Sequence, residues 1–447
     1  MDSAVLISAS GTGQGKTLVA TALCAALSRS GRTVQAYKVG PDYIDASFYR
    51  RVCGRPAYNV DLWLDGEAGV QRHVRHTRGG CDALVFEGMM GLFDGDDEGQ
   101  TSTAHIAMLL DLPVILVLDL WTCSQTAAAV ALGCFHYDSR LRPAGVILNR
   151  AGGESHERAV RRSCAQAGIR VLATVPYDAA FDAGERHLGL DPRAVEARAK
   201  AVERLAEHLA AQLPLDELFP AGSGTQVDSA APVRSAGSPV LIAVAHDDAF
   251  WFTYAETYAA LRAAGAEPVG FSPLADRTLP AGARGLWIGG GYPEQHAKAL
   301  EANASMRQAI ADAIAAGLPT YAECGGLMYL AERLKTSDGC YAMAGVLRGA
   351  TSMVQPRLRI GYRHARAVAE TPLDPAGSTL RGYEFHYASN RLHEAPAYAF
   401  DKGGHDGAHR PNLLAAFLHR HFLPGDAAIT RFVAACERGT RQTLADS

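Results

Sequence analysis

Short apolar runs alternate with amphipathic segments through the first half of the chain. Residues 4–8, 83–87, 112–119, 144–150 and 171–176 are each of strand length and almost continuously apolar, and 33–36 is a short strand pattern. That is the pattern of strands covered on both faces, as in a parallel sheet. Helical stretches separate them, such as residues 17–29, rich in Ala and Leu. This alternation predicts a doubly wound α/β domain. The pattern fails over residues 214–238, rich in Pro, Ser, Gly and Ala, which read as a linker. It restarts with a strand at 240–245 and a helix at 254–264 that ends at Gly265. A strand at 285–288 and an apolar run into 319–323 follow. The expected organisation is a first domain at 1–213, a linker at 214–238, and a second α/β domain at 239–447.

Composition narrows the class only a little. The chain has 447 residues, 48% hydrophobic and 20% charged, as an ordinary globular protein has. A net charge of −4 gives no electrostatic case for nucleic acid or an anionic membrane. No apolar run is long enough to span a bilayer, and the N-terminus lacks the pattern of a signal peptide. Nine cysteines are scattered without a Cys-x-x-Cys pair, so neither a zinc site nor a disulfide framework is indicated. A cytoplasmic location with reduced thiols is the expectation.

Candidate chemistry in the first domain begins between the strand at 4–8 and the helix at 17–29. Ser10-Gly11-Thr12-Gly13-Gln14-Gly15-Lys16-Thr17 fits a phosphate-binding loop, with Ser10 where the first glycine is usual. Such a loop turns backbone N–H groups around phosphates, reaches them with a lysine, and offers a hydroxyl to Mg²⁺. Regulatory P-loop switches carry a second lysine early in the loop, where this chain has Gly11. Lys38, Asp42 and Asp45 follow on an expected turn at the end of the next strand, where open parallel sheets place ligands. Asp61, Glu87 and Asp94 sit at further strand ends or glycine-rich turns. A carboxylate such as Glu87, ending a strand beside a P-loop, is the usual second holder of Mg²⁺. Asn149 ends another strand and either reads an adenine edge or caps a helix. Arg186-His187-Leu188-Gly189-Leu190 reads equally as functional loop or as structure.

In the second domain, Pro319-Thr320-Tyr321-Ala322-Glu323-Cys324-Gly325-Gly326-Leu327 places one cysteine on a tight strand-to-helix turn. The start of the new helix is expected to favour the thiolate, the nucleophilic form. Gly289-Gly290-Gly291 ends the strand at 285–288 and offers N–H groups for an oxyanion. A base is needed as well. Residues 413–422 read as one strand-like run holding His419 and His421 on the same side. His419 is the expected base, oriented by His421 or a nearby group, with Glu384 and His386 as further candidates.

These motifs together resemble the cobyrinic acid and hydrogenobyrinic acid a,c-diamide synthases. The resemblance runs nearly end to end. It rests on the P-loop, KVGPDYID (38–45), EGMMGLFDG (87–95), RHLGL (186–190), GGGYPE (289–294), AECGGLMYL (322–330), EFHY (384–387) and FLHRHF (417–422). It implies a dethiobiotin-synthetase-like P-loop amidoligase domain joined to a class I glutamine amidotransferase domain. It implies Mg²⁺ and ATP as co-substrate in Gly11–Thr17, with Lys16 and Lys38 near the phosphates and Thr17, Glu87 and Asp45 near the metal. Asp42, Asp45, Asp61 and Asp94 would lie toward a tetrapyrrole carboxylate. Cys324 would attack glutamine, activated by His419, with Gly290, Gly291 and Gly325 around the oxyanion. The product would be an amide on the a and c acetates of a corrinoid, made through an acyl phosphate. A homodimer is expected, and neither nucleic acid nor membrane as partner.

The sequence departs from the family pattern at Ser10, Ala46, His246 and Tyr383, and at His421, where many amidotransferases of this class carry glutamate. Two alternatives follow. One is the same chemistry on another tetrapyrrole, such as a nickel sirohydrochlorin, or on the larger amide set of cobyric acid synthase. The other is a regulatory P-loop ATPase with a degenerate glutaminase module.

Overall fold

The computed structural model describes residues 3–96, 99–178, 192–220 and 238–445. Two compact units divide the chain, Met1–Ser229 and Ala230–Ser447.

In the first unit seven parallel strands form one sheet. They are β1 (Ala4–Ala9), β2 (Val34–Val39), β3 (Tyr58–Val60), β4 (Ala83–Glu87), β5 (Pro113–Asp119), β6 (Arg142–Ala151) and β7 (Val171–Pro176). Their spatial order is β3-β2-β4-β1-β5-β6-β7. Successive side chains point to opposite faces, yet both faces are apolar. Leu6, Phe86, Leu116 and Leu148 enter one buried cluster; Ile7, Val85, Ile115 and Ile147 enter another. Burial on both sides is why these strands read as apolar runs rather than alternations. Strands β1–β4 lie to one side and β5–β7 to the other, so the order reverses beside β1, where such sheets bind ligands.

Helix α1 (Lys16–Arg29) leaves the carboxyl end of β1, α2 (Tyr43–Cys53) that of β2, and α3 (Leu62–Thr77) that of β3. The turn expected to hold Lys38, Asp42 and Asp45 is therefore only Gly40–Asp42; Lys38 falls in β2 and Asp45 inside α2. Packing of the first unit runs on through a short helix, Leu215–Leu218, with Leu213 and Phe219 buried in its core. The motif at 186–190 lies outside the described residues.

In the second unit a six-stranded sheet has the order Ala266–Phe271, Val240–Ala245, Gly285–Ile288, Thr320–Glu323, Leu413–Ala416, Ala408–Arg410. All its pairings are parallel except the last. A separate five-stranded antiparallel sheet runs His405–Asp406, Tyr398–Phe400, Arg359–Ala367, Thr379–His386, Leu418–His419. Residues 413–422 are therefore not one strand. The chain leaves the parallel sheet at Ala416 and joins the antiparallel one at Leu418. Among the described residues no helix is long and apolar enough to cross a membrane.

Candidate functional sites

The loop after β1 is built as a phosphate cradle must be. Gly13 and Gly15 have φ of 78° and 91°, left-handed values that glycine adopts without strain. A Cβ on Gly15 would lie 2.3 Å from Asn149 Nδ2. Asn149 Nδ2 donates to the Gln14 carbonyl at 2.9 Å, so this residue braces the loop from the end of β6. Gln14 Nε2 in turn donates to Ser10 Oγ at 2.8 Å, and Lys16 Nζ folds back onto the Gly11 carbonyl at 2.7 Å. Thr12 is exposed on the loop.

Glu87 is the hub beneath the loop and is 1% exposed. Lys38 and Glu87 are register partners across β2 and β4, which brings Nζ within 2.9 Å of Oε1. Thr17 Oγ1 donates to the same oxygen at 2.6 Å, and the Tyr49 hydroxyl of α2 donates to Oε2. Asp42 lies 3.9 Å from Lys38 Nζ. The Asp45 side chain lies outside the described residues. Among the described residues no three His, Cys, Asp or Glu side chains converge as a metal cage. The Thr17 hydroxyl and the Glu87 carboxylate instead fit Mg²⁺ held in part by nucleotide phosphates and water, the cation's usual mode.

Asp61 and Asp94 hold backbone. Asp61 Oδ1 caps α3, accepting the N–H groups of Trp63 and Leu64 at 2.8 and 2.9 Å. Asp94 Oδ2 accepts the Gly91 N–H at 2.7 Å. In this structure both carboxylates shape their loops. Two further residues join the site. Arg150, at a left-handed φ of 57°, donates to the Gly13 carbonyl at 2.6 Å and grips both oxygens of Asp119 at 2.9 and 2.7 Å. Both end strands beside the P-loop, the one sequence signal that could have singled them out.

The nucleophile of the second unit sits on a strained elbow. Cys324, between Thr320–Glu323 and the helix Gly325–Leu330, has φ 52° and ψ −104°. Non-glycine residues held in such regions cluster at functional sites. Its N–H donates to the Ala416 carbonyl at 2.7 Å, which ties it to the neighbouring strand. Glycines let the elbow close down. A Cβ on Gly290 would be 3.6 Å from Cys324 Cβ, and one on Gly325 would be 3.0 Å from the Gly291 nitrogen. Gly290, Gly291 and Gly325 are thus gathered beside Cys324.

The expected thiolate is not the resting form. Burial raises the Cys324 thiol, the charges of Glu323 and Glu294 raise it further, and only the Gly325 N–H opposes them. The following helix has six residues, too short for a large dipole. His419 is held below its ordinary value by burial, against the charge of Glu323. It is a neutral imidazole at neutral pH, the form a general base requires. Glu294 is pushed up to about 6 by burial.

His386 is committed elsewhere. Its Nδ1 faces the Ala388 carbonyl at 2.9 Å and its Nε2 faces Glu384 at 3.2 Å, while Arg363 Nε holds the other Glu384 oxygen at 2.8 Å. His421 turns to Glu256, 3.5 Å away, edge-on to Tyr254. It follows the strand rather than lying in it, so the alternation expected for His419 and His421 does not hold. The carboxylates whose charge reaches His419 are Glu323 and Glu384. Glu323 precedes the nucleophile and accepts the Arg420 N–H at 3.1 Å. Arg420 is locked in turn by Asp374, both oxygens at 2.9 Å.

Residues 5–190 match the CobQ/CobB/MinD/ParA nucleotide binding domain, and residues 241–427 match the CobB/CobQ-like glutamine amidotransferase domain. The chain is 40% identical over 455 residues to the cobyrinate a,c-diamide synthase of Syntrophotalea carbinolica, covering 97% of this chain and 98% of that one. It is 40% identical over 461 residues to the hydrogenobyrinate a,c-diamide synthase of Thermobifida fusca, covering 96% of each. Among solved structures, PurLQS from Thermotoga maritima aligns at 16% identity with a TM-score of 0.34, over 45% of this chain and 98% of that one. The last likeness is too slight to build on. The first two extend over both units and both candidate sites: the chain belongs to the cobyrinate and hydrogenobyrinate a,c-diamide synthase family, a nucleotide-binding domain followed by a glutamine amidotransferase domain.

Proposed function

We propose that this chain converts two acetate carboxylates of a corrinoid polycarboxylic acid to amides, using ATP for activation and glutamine for nitrogen. The observation that carries the reading is the presence of both half-sites in one chain. Lys38, Thr17 and Glu87 meet below the loop that ends in Lys16, and Cys324 stands on a glycine-lined elbow in the other unit.

A carboxylate is a poor electrophile at neutral pH. Transfer of the γ-phosphoryl group makes an acyl phosphate, and ammonia then displaces phosphate. Lys16 and Lys38 offset the charge that spreads over the transferring group. Thr17 and Glu87 would hold Mg²⁺, which neutralises phosphate charge when bound. Asp42 and Asp45 are proposed toward the acid substrate. In the glutaminase unit, glutamine binding brings the amide carbon to the Cys324 sulfur. His419 takes the thiol proton as the sulfur attacks, then returns it to the departing ammonia. The thioester is hydrolysed to glutamate. N–H groups around Gly290, Gly291 and Gly325 are proposed to hold the oxyanion. A homodimer and cytoplasmic residence are part of the same proposal; all nine cysteines are free thiols, as a reducing compartment keeps them.

Incubation with ATP, Mg²⁺, glutamine and either metal-free or cobalt-bearing corrinoid acid, followed by the product's mass, tests the reaction. Cys324→Ser should abolish glutamine-dependent synthesis and keep ammonia-dependent synthesis. Loss of both would refute the division of labour.

A further inference from the structure

The antiparallel sheet of the second unit has an outer face that the glutaminase chemistry does not use. In the hairpin of Arg359–Ala367 and Thr379–His386, Ile360 opposes Phe385 and Tyr362 opposes Tyr383. Side chains alternate across the pleat. Glu384, His386 and Arg363 therefore turn to one side, where they bind one another. The other side carries a run of rings. Tyr362 and Tyr383 are 5.1 Å apart, Tyr383 and Phe385 lie parallel at 6.3 Å, and Phe385 meets Tyr387 at 6.2 Å. Ile360, Phe385 and Tyr387 are 50%, 42% and 45% exposed. An apolar patch of this kind on a folded surface marks a binding site.

Its charge names the occupant. Residues 351–369 contain no Asp or Glu, but they contain Arg357, Arg359, Arg363 and Arg366. Arg381 lies on the facing strand, and the one acid of that strand, Glu384, is turned away and already paired with Arg363. Arg366 and Arg381 stand on the ring-bearing side, opposite Thr379 and His364, and both are exposed, as is Arg357 just before the strand; Arg359 opposes His386 on the other side. In a chain of net charge −4 this is a local positive rim around aromatic rings. A broad apolar ring bearing several carboxylates is its complement: the rings stack on its face, and guanidinium groups pair with carboxylates at its edge.

We infer that this aromatic and arginine-rimmed face of the glutaminase unit binds the tetrapyrrole polycarboxylic acid. The inference rests on the function proposed above and adds the surface that recognises the substrate. Full-length protein is dialysed against hydrogenobyrinic acid without ATP or glutamine, and bound ring is read by its visible absorbance. Phe385→Ala and Arg381→Gln should each raise the ring's Kd and KM about tenfold. Phe385→Trp should retain binding, and glutaminase kcat and the KM for ATP should stay within about twofold of wild type. If Phe385→Ala fails to fold, Ile360→Ser on the facing strand probes the same surface. A double variant that binds the ring as wild type does would overturn the inference. So would conversion of a dimer to a monomer at unchanged Kd, which would assign the face to a second copy. Equal loss of ring binding, ATP affinity and glutaminase turnover would likewise overturn it, as a collapse of the sheet. A wild-type protein that neither binds nor amidates such a ring would instead remove the functional reading itself.

Discussion

Replacing Gly326 with alanine should damage glutamine hydrolysis and leave the ATP-dependent half intact. A Cβ at Gly326 would stand 2.2 Å from the Ile288 carbonyl oxygen and 3.1 Å from that of Gly289. Ordinary contact begins near 3.4 Å, so the elbow must retreat by about 1.2 Å from the strand Gly285–Ile288. Both neighbours are backbone and have no side chain to swing aside. Overpacking of this kind typically costs about 1–3 kcal/mol of stability. The larger effect is on geometry, because that retreat carries Cys324 away from Gly290 and Gly291. A misplacement of about 1 Å is worth roughly a hundredfold in rate. Glutaminase kcat should therefore fall about a hundredfold, with synthesis from ammonium chloride unchanged. Gly270→Ala is the control, since a Cβ there meets nothing within 4 Å. The assay is glutamate release beside product mass with each nitrogen donor, and a thermal melt. A Gly326→Ala protein with wild-type glutaminase turnover would refute the claim that glycine packing sets the position of the sulfur.

Other outcomes follow from the same geometry. Glu87→Gln keeps the volume but loses the charge that meets Thr17, Lys38 and Tyr49; synthesis from either nitrogen source should drop by at least about a hundredfold, with glutaminase turnover retained. Asp374→Ala strands the buried Arg420 guanidinium and should lower stability by about 3–5 kcal/mol in a denaturant titration. For pH dependence, the base must be neutral and its folded value is depressed, so the acid limb of glutaminase kcat/KM should have its midpoint below 6.5. Because burial raises the Cys324 thiol, iodoacetamide should modify the resting protein at neutral pH more slowly than a small free thiol; faster alkylation would contradict this.

Most of the frame was legible because strands buried on both faces leave unbroken apolar runs, and because P-loops and nucleophile elbows need particular residues at fixed spacings. Thr17 and Glu87 meet beside the P-loop, and Lys38 joins them from β2. Three things were not legible. Tyr49 sits on α2 at no motif position, and its approach to Glu87 depends on how that helix packs over β2. Arg150 is set by a left-handed backbone that no residue type announces. The segment holding His419 and His421 has a strand's alternation, but a break at Phe417 sends its two halves into different sheets, and periodicity within one segment carries no information about its neighbours. The thiolate was also misjudged, since helix polarity is visible in sequence while the depth at which Cys324 is buried is not.

That break at Phe417 has a mechanical corollary. Cys324 follows a strand of the parallel slab and His419 ends a strand of the antiparallel one, and the chain passes between the two slabs at Gly407 and again at Phe417. The Cys324 N–H is tied to the Ala416 carbonyl, whereas His419 pairs with Tyr383 across the antiparallel slab. The spacing of thiol and imidazole is thus set by how those two slabs are joined.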